Sequence, residues 1–163
     1  MAAPNPLFLR EEELDRGLEL LYFAGHQLNL DAIALRAEAA IDETDHHTLF
    51  LVDRQPGITL AELSAALGAS KQTLSRHLKR LARAGLIEHE ATSLDRRKRP
   101  LRLTEKAALL LGRIRTLQKR RLRMAFKSAG ATAVEGFQRV LLDLVGEARR
   151  EAKPSWSVGV TTR

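Results

Sequence analysis

The segment from Lys71 to Ala84 carries side chains that could recognise nucleic acid. Its leucines recur at helical spacing, so at about 100° per residue the polar side chains lie on the opposite face of a helix. Arginine can bind guanine, and glutamine adenine, through paired hydrogen bonds, whereas phosphates attract any basic group. We predict base contacts from Gln72 and Arg76, with Thr73 beside them, and phosphate contacts from Lys71, Lys79, Arg80 and Arg83. An ordinary solvated helix face is the alternative interpretation.

A second candidate group lies in the loop of a predicted hairpin, at residues 92–99. One acid precedes four consecutive basic side chains, which are Arg96, Arg97, Lys98 and Arg99. A thin basic loop can enter the minor groove of DNA, where the negative potential attracts arginine. Asp95 is predicted to pair with a nearby arginine and so to fix the loop. The alternative is a charged turn without a partner, because a short basic run is weak evidence by itself.

Two short capped helices position the first group. Thr59 and Glu62 fit a capping box that opens a short helix, and Gly68 is a natural stop for it. Ser70 can cap the next helix, and Gly85 can end it. Two capped helices joined by a glycine-containing turn form a helix-turn-helix pattern.

Two extended segments position the second group. Residues 86–91 alternate between apolar and polar side chains as a strand does, and residues 99–103 can form the return strand, with Pro100 placing it at a sheet edge. Pro56 and Gly57 leave room for a very short strand at Ile58. The hairpin following the helix-turn-helix is therefore interpreted as a wing.

Segments without internal proline on both sides of this module predict long helices, at about 11–40, 104–129 and 131–152. A shorter helix begins after Asp42 or Thr44 and ends near Arg54. Apolar stripes run along the long helices, at Leu14, Leu18, Leu21 and Leu28, at Leu110, Leu111, Ile114, Leu117 and Leu122, and at Val134, Phe137, Leu141 and Leu144.

The small central module cannot cover all of these stripes, which favours a dimer over the alternative of an intramolecular bundle. We expect a mainly α fold with a small β-wing. Residues 1–40 and 105–153 are assigned to a helical dimerisation region, 41–104 to a winged helix-turn-helix DNA-binding domain, and 154–163 to a C-terminal tail.

The charge distribution agrees with a phosphate-binding surface. The 163-residue chain has a net charge of +7. Residues 1–59 hold 4 basic and 11 acidic side chains, whereas residues 71–104 hold 10 basic and 3 acidic ones. The excess of positive charge begins where the predicted recognition helix begins, as expected of a protein that binds DNA. A solvated basic surface would show the same total charge.

Several classes of function are disfavoured by what the sequence lacks. It contains no cysteine, so disulfides, thiolate metal sites and thiol-based sensing are excluded. It has no apolar run long enough to span a membrane and no secretory signal, which predicts a cytoplasmic protein. No catalytic motif is present, and the adjacent pair His46 and His47 is poorly arranged to share a metal ion. We expect neither an enzyme nor a cofactor.

The segment from Gly85 to Lys106 resembles the signature of the MarR family. Gly85-Leu86-Ile87 resembles the opening of that family's wing, Asp95 and Arg97 its D-x-R loop, and Leu101-Arg-Leu-Thr104 the start of its following helix. Thr59-Leu-Ala-Glu-Leu63 and Ser70–Arg76 resemble its helix-turn-helix. The opening Asn5–Arg16 is similar to the PetP-type subgroup of the family.

The resemblance implies a symmetric homodimer that binds double-stranded DNA at a pseudo-palindromic site and regulates transcription. We expect a repressor, with activation as the open alternative. Recognition helices would enter successive major grooves, and wings would reach the flanking minor grooves. The family's wing roles would fall on Arg97 and Asp95. Its recognition-helix roles would fall on Gln72, Thr73 and Arg76, together with Ser75 and Lys71.

Many members of that family bind small anionic effectors between the dimerisation region and the winged module. Tyr22, His26 and His46 lie on helices that should line such a crevice, although core packing or simple exposure would also explain them. Two other functions stay open, namely a winged-helix module that binds proteins and a non-specific, nucleoid-type DNA binder. The basic recognition face disfavours the first of these.

Overall fold

A computed structural model of the chain describes residues 9–89 and 100–150. Within these ranges the chain forms six helices and one two-stranded antiparallel sheet, which confirms the mainly α fold. The elements in chain order are α1 (Glu11–Glu38), α2 (Glu43–Arg54), α3 (Leu60–Leu67), α4 (Lys71–Arg83), β1 (Ile87–His89), β2 (Leu101–Leu103), α5 (Glu105–Ala129) and α6 (Ala131–Arg150).

Local capping determines where the short helices begin. Asp42, rather than Thr44, caps α2. Its carboxylate accepts a hydrogen bond from the Asp45 N–H at 2.8 Å, while the Asp45 carboxylate accepts one from the Asp42 N–H at 3.2 Å. Thr59 and Glu62 form the predicted capping box of α3, with 2.7 Å from the Thr59 N–H to the Glu62 carboxylate. These reciprocal bonds satisfy backbone donors that a helix start leaves free.

The turn between α3 and α4 depends on a left-handed residue. Gly68 has a φ of +61°, which a residue with a side chain adopts only with strain. The Ser64 hydroxyl donates to the carbonyl of Ala69 at 2.7 Å and braces the same turn. The predicted helix-turn-helix therefore forms with the stop and cap residues that the sequence indicated.

The sheet is short and is extended by one further pair of backbone bonds. Ile87 pairs with Leu103, and His89 with Leu101. Ile58 is not part of a strand, contrary to the expectation of a very short one. Nevertheless its carbonyl accepts from the Leu101 N–H at 3.3 Å, and the neighbouring Gly57 N–H donates to the Leu101 carbonyl at 3.1 Å. The segment before α3 therefore lies along β2 without forming a full ladder.

The core lies where α2, α3, α4 and the sheet meet the C-terminal part of α1 and the first part of α5. Its largest fully buried apolar side chains are Leu49, Val52, Ile58, Leu63, Leu74, Leu81, Leu86, Leu101 and Ile114. Helices α1 and α5 run antiparallel. Arg121 binds the Asp31 carboxylate with two hydrogen bonds of 2.7 and 2.8 Å, and Arg113 pairs with Glu38 at 3.2 Å.

The outer parts of the long helices are not covered within the subunit. Every described residue of the first half of α1 is exposed or half-buried, and Leu18 is 67% exposed. Phe50 on α2 is also exposed, whereas Leu49 and Val52 of the same helix are buried. Among the described helices, none combines the length and the apolar character needed to cross a membrane.

Candidate nucleic-acid interface

Helix α4 has one buried and one exposed side. Leu74, Leu78 and Leu81 are buried in the core, as predicted. The opposite side presents Gln72, Arg76, Lys79 and Arg83, all of them exposed, and Lys71 is exposed at the N-terminal end of the helix. Since the same helix contributes to the core, its exposed polar side chains are held on a rigid element.

The first turn of α4 is built around its cap. The Ser70 hydroxyl accepts from the Thr73 N–H at 3.1 Å and lies 2.9 Å from the Thr73 hydroxyl. Thr73 and Ser75 are half-buried, so of the predicted base-contacting group Gln72 and Arg76 extend farthest into solvent. Acidic residues are absent from this turn, and Lys71 is its first residue. The N-terminal end of α4 is therefore positive, both through Lys71 and through the helix dipole.

Arg80 differs from the other basic side chains of α4. Its guanidinium donates to the Asp42 carboxylate at 2.6 Å and also to the Asp45 carboxylate. His77, one turn earlier on α4, places its Nδ1 3.0 Å from the other oxygen of Asp45. We call Asp42, Asp45, His77 and Arg80 the α2–α4 cluster. The prediction that Arg80 binds phosphate stays a prediction, but two carboxylates of the protein already hold its guanidinium.

Within the α2–α4 cluster, the electrostatics favour the charged forms of Asp42 and Arg80. Partial burial alone would raise the pKa of Asp42, but the Asp45 N–H and the Arg80 guanidinium outweigh it and lower that pKa. The hydrogen bond to Asp42 is the largest of the effects that raise the pKa of Arg80. The same positions also satisfy the distances of a metal site, because one ligand atom each of Asp42, Asp45 and His77 lies within 4.8 Å of the others.

The predicted wing residues Asp95, Arg96, Arg97, Lys98 and Arg99 lie outside the described residues. The base of the wing is described. The Thr104 hydroxyl donates to the carbonyl of Gly85 at 2.7 Å, and its N–H donates to that of Leu86 at 3.2 Å. Lys106 donates to the carbonyl of Ala84 at 2.9 Å. The C-terminal end of α4 is thereby joined directly to the start of α5.

A groove of about 780 Å³ lies between the end of α1 and the first part of α5, with Leu86 of the winged module also in its wall. We call it the α1–α5 groove. Its walls are formed by Leu35, Glu38, Ala39, Leu86, Glu105, Lys106, Leu109, Leu110 and Arg113. An effector crevice between the terminal helices and the winged module stays a prediction, since Leu86 alone of these residues belongs to the winged module.

The three predicted effector residues do not line this groove. Tyr22 and His26 lie on the exposed half of α1, where their rings stack with centroids 6.5 Å apart. His46 is half-buried near the start of α2, and burial, together with His47 and Arg36, lowers its pKa to about 4. His46 is therefore neutral at physiological pH.

The sequence analysis did not single out Asp45 or His77. Asp42 and Asp45 are three positions apart at the start of α2, and His77 and Arg80 are three positions apart on α4, so each pair lies close together. That spacing was a usable local signal. The contact between the two pairs joins residues more than 30 positions apart, and no local pattern encodes it.

Comparison with known proteins supports this interpretation. Residues 41–98 match a family model described as MarR family. The chain is 35% identical over 144 residues to the HTH-type transcriptional regulator PetP of Rhodobacter capsulatus. The matched region covers 88% of this chain and 87% of PetP.

Solved structures agree with the fold. FabT of Streptococcus pneumoniae, in complex with DNA, has a TM-score of 0.69 at 21% identity and covers 83% of this chain and 94% of FabT. A crystal structure of MarR has a TM-score of 0.67 at 22% identity and covers 94% of this chain and 97% of MarR. Because the likeness to PetP extends over most of both chains and the helix order is that of MarR, the chain belongs to the MarR family and is a winged helix-turn-helix transcriptional regulator of the PetP type.

Proposed function

We propose that this chain is a sequence-specific repressor that binds double-stranded DNA as a homodimer. The observation that carries the proposal is the two-sided character of α4, with three leucines in the core and an exposed side rich in glutamine, arginine and lysine. A rigid helix with such a side fits the major groove, where arginine and glutamine can distinguish base pairs.

Different side chains of α4 are suited to different parts of DNA. Gln72 and Arg76 belong to its N-terminal half, which in helix-turn-helix proteins is the part that reaches base edges. Lys71, Lys79 and Arg83 are exposed and suited to phosphates. The wing arginines Arg96 and Arg97 are assigned to the minor groove from the sequence alone.

A homodimer is supported by the apolar surface of the terminal helices. Leu18, Tyr22, Met124, Val140 and Leu144 are each more than half exposed, and all lie on α1, α5 or α6. Monomeric soluble proteins rarely expose such extensive apolar surface. A second copy of the chain would bury it, and two-fold symmetry would then present two α4 helices to half-sites about one helical turn of DNA apart.

The α1–α5 groove is the proposed site for a small effector. Apolar side chains line much of it, and Lys106 and Arg113 supply positive charge. Lys106 also donates to the carbonyl of Ala84, the residue that follows α4. A ligand in the groove would therefore touch a residue that contacts the end of the recognition helix. This proposal moves the effector site away from Tyr22, His26 and His46.

Selection of genomic DNA fragments tests the main proposal. The purified protein is mixed with sheared genomic DNA from its source at physiological salt, with excess competitor DNA, and the bound fragments are sequenced. We expect a few enriched fragments that share an inverted repeat. Uniform recovery would instead indicate a nucleoid-type binder, and no recovery would indicate a module that binds proteins. Either result would contradict the proposal.

A further inference from the structure

The α2–α4 cluster contains a carboxylate that is fully withdrawn from solvent. The Asp45 side chain is 0% exposed, and a buried charge of this kind is costly unless donors surround it. Asp45 has three donors. One oxygen faces His77 Nδ1 at 3.0 Å, and the other accepts from the Asp42 N–H at 3.2 Å and from Arg80.

The tautomer of His77 decides which of two contacts its Nδ1 makes. The Asp45 carboxylate can only accept, so the 3.0 Å contact is a hydrogen bond in the tautomer that carries its proton on Nδ1. In that tautomer the Arg80 Nη2, 3.1 Å from the same Nδ1, has no acceptor there and donates to the two carboxylates. Both donors from α4 therefore point at one acid at the start of α2.

Two anchor points on one helix restrict its rotation as well as its position. His77 and Arg80 are three positions apart and therefore lie close together on the surface of α4. Apolar packing by itself tolerates small rotations, whereas directional bonds to a buried acid do not. Such a rotation would move Gln72 and Arg76, which lie on the exposed side of the same helix.

We propose that Asp45 is a positioning residue for DNA recognition, which acts through His77 and Arg80 to hold α4 at the angle from which Gln72 and Arg76 meet the bases. Arg80 then acts inside the protein and not on a phosphate. This inference rests on the proposed function, because it assumes that α4 reads DNA.

A divalent cation is the competing explanation of the cluster, since two acids and a histidine are common ligands. The observations favour the positioning role. The Arg80 guanidinium already supplies the positive charge, and the Asp42 and Asp45 oxygens also accept the backbone N–H groups of the α2 capping box. A metal ion would have to displace Arg80.

The salt dependence of DNA affinity distinguishes a positioning arginine from one that binds phosphate. Fluorescence anisotropy on a selected fragment, over a series of salt concentrations, would compare Arg80→Gln with the wild type. We expect about tenfold weaker binding and an unchanged slope of log K against log salt, since a lost phosphate contact would reduce the slope by about 0.9. Arg83→Gln, which removes the same charge from an exposed site on α4, is the matched control. A slope reduced by about 0.9 in Arg80→Gln would overturn the proposal.

A second variant distinguishes the positioning role from simple electrostatics, because the two predict opposite changes in DNA affinity. Asp45→Asn removes a negative charge near DNA and releases Arg80, so simple electrostatics predicts tighter binding to every sequence. The positioning role predicts weaker binding to the selected fragment and no loss of non-specific affinity. Tighter binding to the selected fragment would contradict it, as would a loss of wild-type affinity for that fragment when EDTA removes bound metal.

Hydrogen exchange in the DNA-free protein separates this inference from the function on which it rests. In Arg80→Gln the amides of α4 should exchange faster relative to those of α5, whether or not the protein prefers any DNA sequence. Unchanged exchange in α4 would exclude the positioning role. If exchange changes but the wild type has no sequence preference, the proposed function fails and the anchoring of α4 by the cluster stands.

Discussion

At the scale of single residues, Arg76 and Arg80 have the same chemistry but different surroundings. They lie four positions apart on α4, and both were assigned to DNA from sequence. Within the described residues, no acidic side chain pairs with Arg76, whereas two carboxylates hold Arg80. Where a charged group is already paired inside the protein, binding it to DNA requires breaking that pair. The two arginines should therefore affect DNA affinity in different ways.

His46 gives a pH dependence to stability. Its pKa in the folded protein is about 4, against 6.5 for a free histidine, so the unfolded chain binds the additional proton between these values. The contribution of His46 to the free energy of unfolding has its full value above the unfolded pKa and falls as the pH drops through this window. Between about pH 7.5 and about pH 5 we expect His46 to account for a loss of about 1 to 2 kcal/mol, less than the full shift would give because the ring is partly exposed.

Urea unfolding at fixed protein concentration measures this effect. His46→Gln should reduce the loss of stability on acidification, while His47→Gln, at an exposed neighbouring position, should preserve it. Asp31 and Asp42 do not confound the result, because their lowered pKa values place their contribution below this window. Equal acid sensitivity in His46→Gln and the wild type would show that burial does not lower the pKa of His46.

At the scale of elements, the ends of helices were predictable because their causes are local. Thr59 with Glu62, Gly68, and Ser70 each act within a few residues of their position, and the structure confirms all of them. Ile58 shows the limit of this approach. Its β-branched side chain suited a strand, but only one pair of backbone bonds to Leu101 forms, because the turn at Gly57 and the start of α3 leave no length for a ladder.

The apolar stripes of the long helices were predicted, but their burial could not be. The part of α5 that includes Leu111 and Ile114 enters the core, whereas Leu117 and Leu122 on the same stripe are exposed in the subunit. Helical spacing shows that a stripe exists and does not show which neighbour covers it. The α2–α4 cluster was missed for a related reason, since it joins elements that are distant in sequence.

The exposed apolar faces lead to a prediction about assembly. Leu18 on α1 is 67% exposed, and a lysine there would have to be buried twice in a symmetric dimer. We expect Leu18→Lys to raise the dimer dissociation constant at least about tenfold, because one factor of ten requires only about 1.4 kcal/mol. Sedimentation velocity over a dilution series would measure it.

Phe50→Lys is the matched control for this experiment. Phe50 is also apolar and exposed, but it lies on α2, in the winged module. Phe50→Lys should therefore leave the dimer dissociation constant unchanged. Equal weakening by both variants, or a wild type that sediments as a monomer at all concentrations, would count against dimerisation through the terminal helices.

At the scale of the whole molecule, one continuous set of contacts joins the long helices to the recognition helix. Asn29 of α1 donates to the Glu43 carboxylate at the start of α2 at 3.0 Å, and the same first turn of α2 holds α4 through Asp45. Just after the end of α4, Lys106 of α5 binds the Ala84 carbonyl. The second half of the recognition helix is therefore linked to α1 through α2 and joined directly to α5.

The central claim is that α4 reads a DNA sequence, and Arg76 tests it most directly. The affinities of the wild type, Arg76→Ala and Lys79→Ala would be measured for a library in which every base pair of the selected site is varied. Arg76→Ala should lose about 1–3 kcal/mol at one base pair of each half-site and accept other bases there. Lys79→Ala should weaken binding to all sequences alike. If Arg76→Ala keeps the wild-type preference at every position, α4 does not read DNA in the way described.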